Sequence, residues 1–284
     1  MNTHTPVRRF SHFGAFVEGT AMPAKYQGHL FAIDPLHNEM LDAQRSVLRS
    51  TFETRDVGRP MWSEDVAFRP LHIVNAPDGS LFVSDMYEYY TAHRNHYQSQ
   101  IDPSTGRIYR LRGKDSVFER DMNLEKKSTG QLAALLSHPN KWHRQMAVQL
   151  LGERRDPSAV ATLEHTLAQD RGLGALNALW ALHQMGSLAD RTAQSALRHP
   201  YPAVRMWAVR LLGDKYGVHR GLGRPGIGAK ESGDLPADVM GAVLAQAARE
   251  PEAEVRAQFA STARRLATAP ALRLVDVLAA HDGD

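Results

Sequence analysis

The chain of 284 residues contains no cysteine. This absence excludes disulfide bonds and a Cys-x-x-Cys-His haem attachment site within the sequence. No apolar run is long enough to predict a membrane-spanning helix. The first residues, MNTHTPVRRFSHFGAF, lack the apolar core of a signal peptide, so the sequence as it stands predicts no export signal.

A charge excess of one sign is lacking too. The chain has 34 Lys and Arg residues against 31 Asp and Glu residues, which leaves a formal net charge of +3. Nucleic-acid-binding proteins typically cluster basic residues with interleaved aromatic residues, and no such cluster occurs. The motifs Gly-x-Ser-x-Gly, His-Glu-x-x-His and the P-loop are absent as well. We therefore predict no nucleic-acid partner, and the sequence identifies no catalytic nucleophile with its base.

The most informative stretch covers residues 68–112. Two short apolar runs, at 71–74 and 81–83, flank Asp78-Gly79, which is a strong signal for a tight turn because glycine readily adopts a positive φ. Segment 107–111 alternates polar and apolar residues, as a half-exposed strand does. The stretch therefore predicts three short strands joined by turns.

The same pattern occurs earlier in the chain. GHLFAID at 28–34 matches GSLFVSD at 79–85, an offset of 51 residues. Repeats of about 40–50 residues built from short strands are typical of β-propeller blades. We therefore expect residues 1–112 to form a partial β-propeller, its closing blades. Because an isolated blade leaves its faces and edge strands uncovered, we expect this part to need further blades to fold.

The string FRPLHIVNAPDGSLFVSDMY, followed by GRIYRL, resembles the last blade of the large dehydrogenase-like propeller proteins of planctomycetes and verrucomicrobia. That resemblance implies a glucose/sorbosone dehydrogenase-like propeller, followed by HEAT repeats and often by a cytochrome c module. It also implies a periplasmic or cell-envelope location, although the chain has no signal peptide. A quinone cofactor or haem c would belong to family segments missing from this chain, so we expect no cofactor here.

From Ser128 onward the hydrophobic period becomes helical. Three segments align, MAVQLLG ending at 152, WALHQMG ending at 186 and WAVRLLG ending at 213, and each follows a shorter apolar helix. We expect each final glycine to end its helix in the left-handed conformation. Helix pairs spaced by about 30–40 residues are typical of HEAT or armadillo solenoids. The sequence therefore predicts a HEAT-like α-solenoid over 128–284, after a charged linker at 113–127.

A Gly-rich loop at 217–234 interrupts the predicted solenoid. It contains Gly-x-G-x-x-Gly at 221–226, but a dinucleotide site needs a strand before this motif and a helix directly after it. Here a helix precedes the motif and a proline interrupts it. A flexible insertion is therefore favoured over a nucleotide site.

Arg69 and Asp85 bracket the repeated strands and are candidate cofactor-binding residues. If they faced the channel of a dehydrogenase-like propeller, they could contact a cofactor. The alternative is that they pair across the turn and fix the register of the strands. Asp34, at the position equivalent to Asp85, favours this structural interpretation.

His93 and His96 are candidate metal ligands. Two histidines three residues apart can share a metal ion, but a zinc site normally needs four ligands. A hydrogen-bonded surface loop is the alternative. No residue is predicted to be catalytic.

Two sets of residues on the second helices of the predicted pairs complete the candidates. Trp180 and Trp207 occupy equivalent apolar positions, which predicts core residues. Arg205, Arg210 and Arg256 either contact a partner on the concave surface of the solenoid or belong to a solvated polar face.

We thus expect the non-catalytic C-terminal portion of a dehydrogenase-like propeller protein, whose HEAT-like solenoid binds a protein partner. One alternative is a free-standing HEAT-repeat scaffold. Another is an oxidoreductase that a separately encoded propeller half completes.

Overall fold

The computed structural model describes residues 2–3, 12–89, 104–217 and 233–281. The chain divides into two compact units. The first, here called the sheet unit, comprises Met1–Leu124 and His138–Arg144, and the second, the helical unit, comprises Glu125–Ser137 and Gln145–Asp284. The domain boundaries predicted from the sequence, with a linker at 113–127, stay a prediction.

The sheet unit contains two sheets. The strands are β1 (Asn2–Thr3), β2 (Phe13–Phe16), β3 (Leu30–Asp34), β4 (Glu39–Leu48), β5 (Thr51–Trp62), β6 (Pro70–Asn75), β7 (Leu81–Asp85) and β8 (Arg107–Leu111). The first sheet has the order β1-β5-β4-β3-β2, with antiparallel pairs throughout except for the parallel pair β1 and β5. The second sheet is antiparallel in the order β6-β7-β8.

The predicted fold class, a partial β-propeller followed by a HEAT-like α-solenoid, is wrong because of its propeller part. In the described part of the chain, the strands form two small sheets that stay open, and no ring of blades closes. Short apolar strands, Asp-Gly turns and regular spacing are properties of any antiparallel meander. Closure of a propeller ring depends on how many sheets pack side by side, and these local signals do not specify that number.

The local repeat is nevertheless real. Gly28 and Gly79 precede the central strands β3 and β7, and they have positive φ angles of 77° and 85°. Residues that have a side chain rarely adopt this backbone conformation, so glycine is favoured at both turns. At the other end of the same strands lie Asp34 and Asp85, which are 0% and 4% exposed. The two 51-residue copies therefore share their turn and their strand end.

Both sheets contribute to one apolar core in the sheet unit. Its buried members include Phe31 and Ile33 from β3, Ile73 from β6 and Leu81 from β7. Burial of a side chain of this size stabilises a protein by about 1.5–3 kcal/mol. The two sheets therefore depend on each other for stability.

The helical unit is built from short helices in two layers. The nine helices of the described residues are α1 (Thr129–Ala134), α2 (Lys141–Arg154), α3 (Val160–Gln169), α4 (Leu173–Gln184), α5 (Asp190–Ala196), α6 (Pro202–Gly213), α7 (Ala237–Ala247), α8 (Ala253–Ala263) and α9 (Thr268–Ala279). Helices α1, α3, α5, α7 and α9 each contact the next member of this series, and α4, α6 and α8 form the second series. The assignment of these helices to HEAT repeats stays a prediction.

The glycines at the ends of the three aligned segments have two different roles. Gly186 follows α4 with a φ of 72° and donates its N–H to the carbonyl of His183, as expected of a left-handed helix end. Gly213 is instead the last residue of α6, where a Cβ atom would lie 2.7 Å from Cγ2 of Thr262 in α8. Gly152 lies within α2, and its Cβ would lie 2.7 Å from Cβ of Gln184. These two glycines therefore permit the close approach of neighbouring helices.

An arginine recurs near the start of α2, α6 and α8. Arg205 donates to the carbonyls of His199 and Pro200, at 2.9 and 3.1 Å. Arg144 makes the same pair of contacts with residues 138 and 139, and Arg256 donates to the carbonyl of Glu250. The proline in each turn prevents the preceding residues from continuing a helix, so their carbonyls need other donors. The arginine supplies these donors six residues later.

Candidate functional site

A groove of about 450 Å³ lies between α3 and α5 of the helical unit. Six polar residues that line it carry its chemistry: Glu164, Arg171, Arg191, Thr192, Ser195 and Arg198. We call it the arginine groove. Two small side chains, Ala168 and Ala196, also line it and leave the space open.

Helices α3 and α5 run in the same direction along the groove. Near the start of α5, Thr192 donates its hydroxyl hydrogen to Oε1 of Glu164 at 2.6 Å. Beyond the ends of both helices, Nε2 of His199 lies 3.0 Å from the carbonyl oxygen of Asp170. Glu164 and Ala168 on α3 are four positions apart, as are Arg191 and Ser195 on α5, so each pair forms one stripe along its helix, and Arg171 and Arg198 follow the ends of the two helices. The groove lies between these two stripes.

The charge of the arginine groove is unevenly distributed. At one end, Nη2 of Arg191 lies 4.0 Å from Oε2 of Glu164, which offsets the positive charge there. At the other end lie Arg171 and Arg198, which are both exposed. Arg171 makes one long hydrogen bond, to the carbonyl of Ala168 at 3.3 Å. Among the described residues, Arg198 has no acidic partner. This end of the groove therefore carries two cations without a compensating carboxylate in contact.

His199 lines the same end but serves the backbone. Its Nδ1 accepts the N–H of Tyr201, and its Nε2 faces the carbonyl of Asp170. Both nitrogens are therefore engaged by the neutral tautomer that carries its hydrogen on Nε2. Burial lowers the pKa of His199, and the nearby charge of Arg171 lowers it further. The positive charge at this end thus comes from the arginines and not from the imidazole.

A second surface lies on α4 and α6. Trp180 and Trp207 meet edge to face, with 4.9 Å between ring centroids and 80° between ring planes. His183 and Arg210 follow them by three residues, and the Arg210 guanidinium lies 4.6 Å from the Trp207 ring centroid. We call these four residues the tryptophan face. The sequence predicted core positions for both tryptophans, but the structure leaves each of them partly exposed.

The three arginines of the second helices occupy different environments. Arg205 is buried and forms a two-pronged ion pair with Glu250, at 2.8 Å from Nε and 2.6 Å from Nη2. It is therefore not exposed as either a partner contact or a solvated polar face would require. Burial alone would raise the pKa of Glu250, but the hydrogen bonds from Arg205, Gln246 and the backbone of Glu252 lower it. Arg210 belongs to the tryptophan face, and Arg256 anchors the turn before α8.

The candidate cofactor residues Arg69 and Asp85 lie together in the sheet unit, where the Asp85 carboxylate bonds to the backbone of Arg69 and not to its guanidinium. Oδ1 of Asp85 accepts the backbone N–H groups of Arg69 and Tyr87, at 2.7 and 2.9 Å. The Arg69 guanidinium donates to the carbonyl oxygens of Pro35 and Glu88, at 2.7 and 3.1 Å. These contacts fix the ends of β6 and β7. A cofactor role for the two residues stays a prediction.

Aromatic and charged groups surround this strand end. The hydroxyl of Tyr109 donates to Oδ2 of Asp85 at 3.3 Å, and the pKa of Tyr109 is raised by burial and by the Asp85 charge. Arg107 stacks on the Tyr87 ring, 3.6 Å from its centroid. The N–H of Ala67 and the hydroxyl of Tyr87 lower the pKa of Asp65. The polar groups described here therefore bond or stack with one another within the cluster.

A histidine–aspartate pair in the sheet unit was not identified from the sequence. Nδ1 of His29 lies 2.8 Å from Oδ1 of Asp42, which is 4% exposed and lies at an irregularity in the pairing of β4 and β5. Nε2 of His29 lies 3.3 Å from Nε2 of Gln44, beside a cleft of about 510 Å³. The residues are 13 positions apart in sequence, and only strand pairing brings them together.

The candidate metal ligands His93 and His96 lie outside the described residues, as does the motif at 221–226. Within the described ranges, we find no group of three or more His, Cys, Asp or Glu side chains arranged to hold a metal ion. Those ranges also contain no helix with the length and apolar character that a membrane span requires.

Comparison with known proteins gives one family. Its description is "Domain of unknown function (DUF7133)", and its model matches residues 11–115, which is less than half of the chain. No curated protein and no solved structure matches the chain significantly.

Proposed function

We propose that this chain is a protein-binding module without catalytic activity and that its helical unit binds a protein partner through the tryptophan face. The observation that carries the proposal is the pair Trp180 and Trp207, whose rings contact each other and are both partly exposed. Tryptophan and arginine are the residues that most often dominate binding at protein interfaces.

The chemistry of this surface supports the proposal. Nε1 of Trp180 is shielded from solvent, so a partner can reach apolar carbon atoms of this partly exposed side chain but not its N–H donor. The ring faces are flanked by His183 and Arg210, whose polar groups can form the rim of an interface.

Electrostatics at the rim favour a partner that is not strongly basic. Nε of Arg210 lies 3.6 Å from Oδ2 of Asp214, and Nη2 of Arg265 lies 3.4 Å from Oδ1 of the same carboxylate. The two cations thus share one anion, which leaves the rim with a positive excess. We expect an apolar anchor on the partner to pack against the tryptophans, with a neutral or acidic neighbour.

The link to dehydrogenase-like proteins is proposed on the sequence resemblance of residues 68–112 alone. Under this proposal, the helical unit would connect such a protein to its partner. The free-standing scaffold and the completed oxidoreductase remain the alternatives to this association.

Quantitative affinity enrichment tests the proposal. The immobilised full chain, its Trp207→Ala variant and its Trp62→Ala variant are exposed to the same extract, and retained proteins are quantified by mass spectrometry. Trp62 is a matched control because it is 54% exposed in β5 and also carries an arginine, Arg59, at 5.0 Å from its ring. A genuine partner is retained by the wild type and by Trp62→Ala but is depleted with Trp207→Ala.

The affinity for the identified partner is then measured with purified proteins. Loss of a tryptophan at the centre of an interface costs about 2 kcal/mol or more, which corresponds to a dissociation constant at least tenfold higher. Circular dichroism spectra verify that Trp207→Ala is folded, and Arg210→Glu provides a second variant that leaves the aromatic packing intact. If both variants bind every partner as tightly as the wild type, the tryptophan face is not the binding surface.

A further inference from the structure

The arginine groove is chemically distinct from the tryptophan face and lies on the other layer of helices. From its geometry we propose that it is a separate binding site for an acidic polypeptide segment in extended conformation. In this site, Arg171 and Arg198 together hold one carboxylate of the segment.

The two arginines are suited to this role because their donors are available. The planar guanidinium group has five N–H donors and forms paired hydrogen bonds with carboxylates. Arg171 uses one donor in a 3.3 Å bond to Ala168, and Arg198 has no hydrogen-bond acceptor among the described residues. They line the groove just beyond the ends of α3 and α5, so one carboxylate can lie between them.

Groups along the groove fit a polypeptide better than a small free anion. From Glu164 to the end of α3 and from Arg191 to the end of α5, each helix runs about 7.5 Å along the groove at a rise of 1.5 Å per residue, and Arg171 and Arg198 lie just beyond these ends. The helical length alone matches two to three residues of extended chain, at about 3.3 Å each. A single small anion would occupy only the end with the two arginines.

The middle of the groove offers hydrogen bonds to such a backbone. Ser195 is exposed on its wall, and its hydroxyl has no partner among the described residues. Further along, the Glu164 carboxylate accepts the Thr192 hydroxyl and keeps acceptor capacity for an N–H donor. The small side chains of Ala168 and Ala196 allow the segment to approach closely.

The order of charges makes the two ends of the groove different. One end of the groove has two uncompensated cations, whereas the other end has Glu164 and Arg191 in a loose pair at 4.0 Å. A second acidic residue three positions from the first would therefore meet Glu164 and be repelled. We expect selectivity for segments with one acidic residue followed or preceded, at three positions, by a neutral or basic residue.

The test uses the full-length chain and a library of fluorescein-labelled heptapeptides. Each peptide places glutamate or glutamine at the central position and glutamate, glutamine or lysine three positions away on either side. Binding is followed by fluorescence polarisation at low and physiological salt, because exposed charge interactions weaken with screening. We expect binding of the central-glutamate peptides only, and at least fivefold weaker binding when a second glutamate lies three positions away on the unfavourable side.

Matched variants locate the site. The double variant Arg171→Ala/Arg198→Ala should weaken binding of the best peptide at least tenfold, while Arg273→Ala, which removes an exposed arginine of α9, should change it less than twofold. Thermal unfolding of each variant shows that the fold is retained. Trp207→Ala should bind the peptide as the wild type does, so failure at the tryptophan face and failure at the groove can be told apart.

Three outcomes would overturn the proposal. The first is that no central-glutamate peptide binds more tightly than its glutamine counterpart. The second is that the Arg171→Ala/Arg198→Ala variant binds like the wild type. The third is that citrate or inorganic phosphate competes as effectively as an unlabelled peptide at equal concentration, which would make the groove a site for small anions only.

Discussion

Replacement of Glu250 by alanine removes the acceptor of two hydrogen bonds that the Arg205 guanidinium makes in the helical unit. The Arg205 side chain is 8% exposed and the Glu250 side chain 0% exposed, so water cannot take over these bonds without local opening. The same carboxylate also accepts the amide of Gln246 at 2.9 Å and the N–H of Glu252 at 3.2 Å. Four donors therefore lose their acceptor at once.

The expected cost follows from this count. Removal of one partner from a buried ion pair typically destabilises a protein by about 3–5 kcal/mol, because the other charge stays buried without compensation. Arg205 keeps its bonds to the carbonyls of His199 and Pro200, which satisfies part of the guanidinium. We therefore expect Glu250→Ala to lower the free energy of unfolding by about 3 kcal/mol, at the lower end of the range.

Urea denaturation at pH 7, followed by circular dichroism at the helix band, measures this change. The matched control is Glu252→Ala, two residues away, whose side chain is exposed and makes no capping bond; it should cost less than about 0.5 kcal/mol. At about 2–4 °C per kcal/mol, the melting temperature of Glu250→Ala should fall by about 6–12 °C. A loss below about 1 kcal/mol would show that the guanidinium finds water or another acceptor.

The double variant Arg205→Met/Glu250→Leu separates the two possible origins of the cost. If an uncompensated buried charge causes the instability, removal of both charges should restore most of the lost free energy of unfolding, since apolar replacements of buried ion pairs are often neutral. If the double variant is as unstable as Glu250→Ala, the lost hydrogen bonds of the turn dominate instead.

Three further outcomes are expected. Gly213→Ala should destabilise the protein by about 1–3 kcal/mol because its Cβ would lie 2.7 Å from Thr262. Gly241→Ala, with nothing within 4 Å of its Cβ, should instead stabilise the protein by up to about 1 kcal/mol, and thermal melts compare the two variants. Because the folded-state pKa of His199 lies below its unfolded value near 6.5, its contribution to stability is complete above about pH 6.5 and is lost as the pH falls toward the folded-state pKa. Urea titrations between pH 7.5 and 5 should therefore show a weaker pH dependence in His199→Gln than in the wild type or in the exposed-site control His165→Gln. Asp85→Ala should cost about 2–4 kcal/mol, since two N–H groups and the Tyr109 hydroxyl lose a charged acceptor; a cost below about 1 kcal/mol, measured by urea denaturation, would contradict the anchoring role.

Features set by neighbouring residues could be predicted from the sequence. The turns at Gly28 and Gly79, the strands that follow them and the helix end at Gly186 each depend on a few consecutive residues. The closed ring of a propeller depends on contacts between many sheets, and the same local signals occur in open sheets. That is why the strands that follow Gly28 and Gly79 could be predicted, whereas the long strands β4 and β5 were missed and the propeller was wrong.

The candidate sites were harder to predict because they join distant residues. In the arginine groove, α3 contacts α5 as well as the next helix, α4. Arg171 and Arg198 are therefore close to the same groove although they are far apart in sequence. The four-residue spacing of 164 and 168 and of 191 and 195 is visible in the sequence, but Arg171 and Arg198 lie beyond the helix ends, where helical spacing does not apply. The His29–Asp42 pair had no such signal, since it arises from strand pairing.

The arginine that recurs near the start of α2, α6 and α8 shows why the hydrophobic pattern of the helices could not tell an exposed arginine from a buried one. Arg144 in the sheet unit and Arg205 in the helical unit both use Nη1 for the turn carbonyls, which leaves Nη2 for a carboxylate. For Arg144 this is Glu18, which is partly exposed and also pairs with Lys141, whereas for Arg205 it is the buried Glu250. The turn fixes the arginine, and the surroundings decide which acid it meets. An arginine six residues after the X of an X-Pro turn is thus better interpreted as an anchor than as a partner contact.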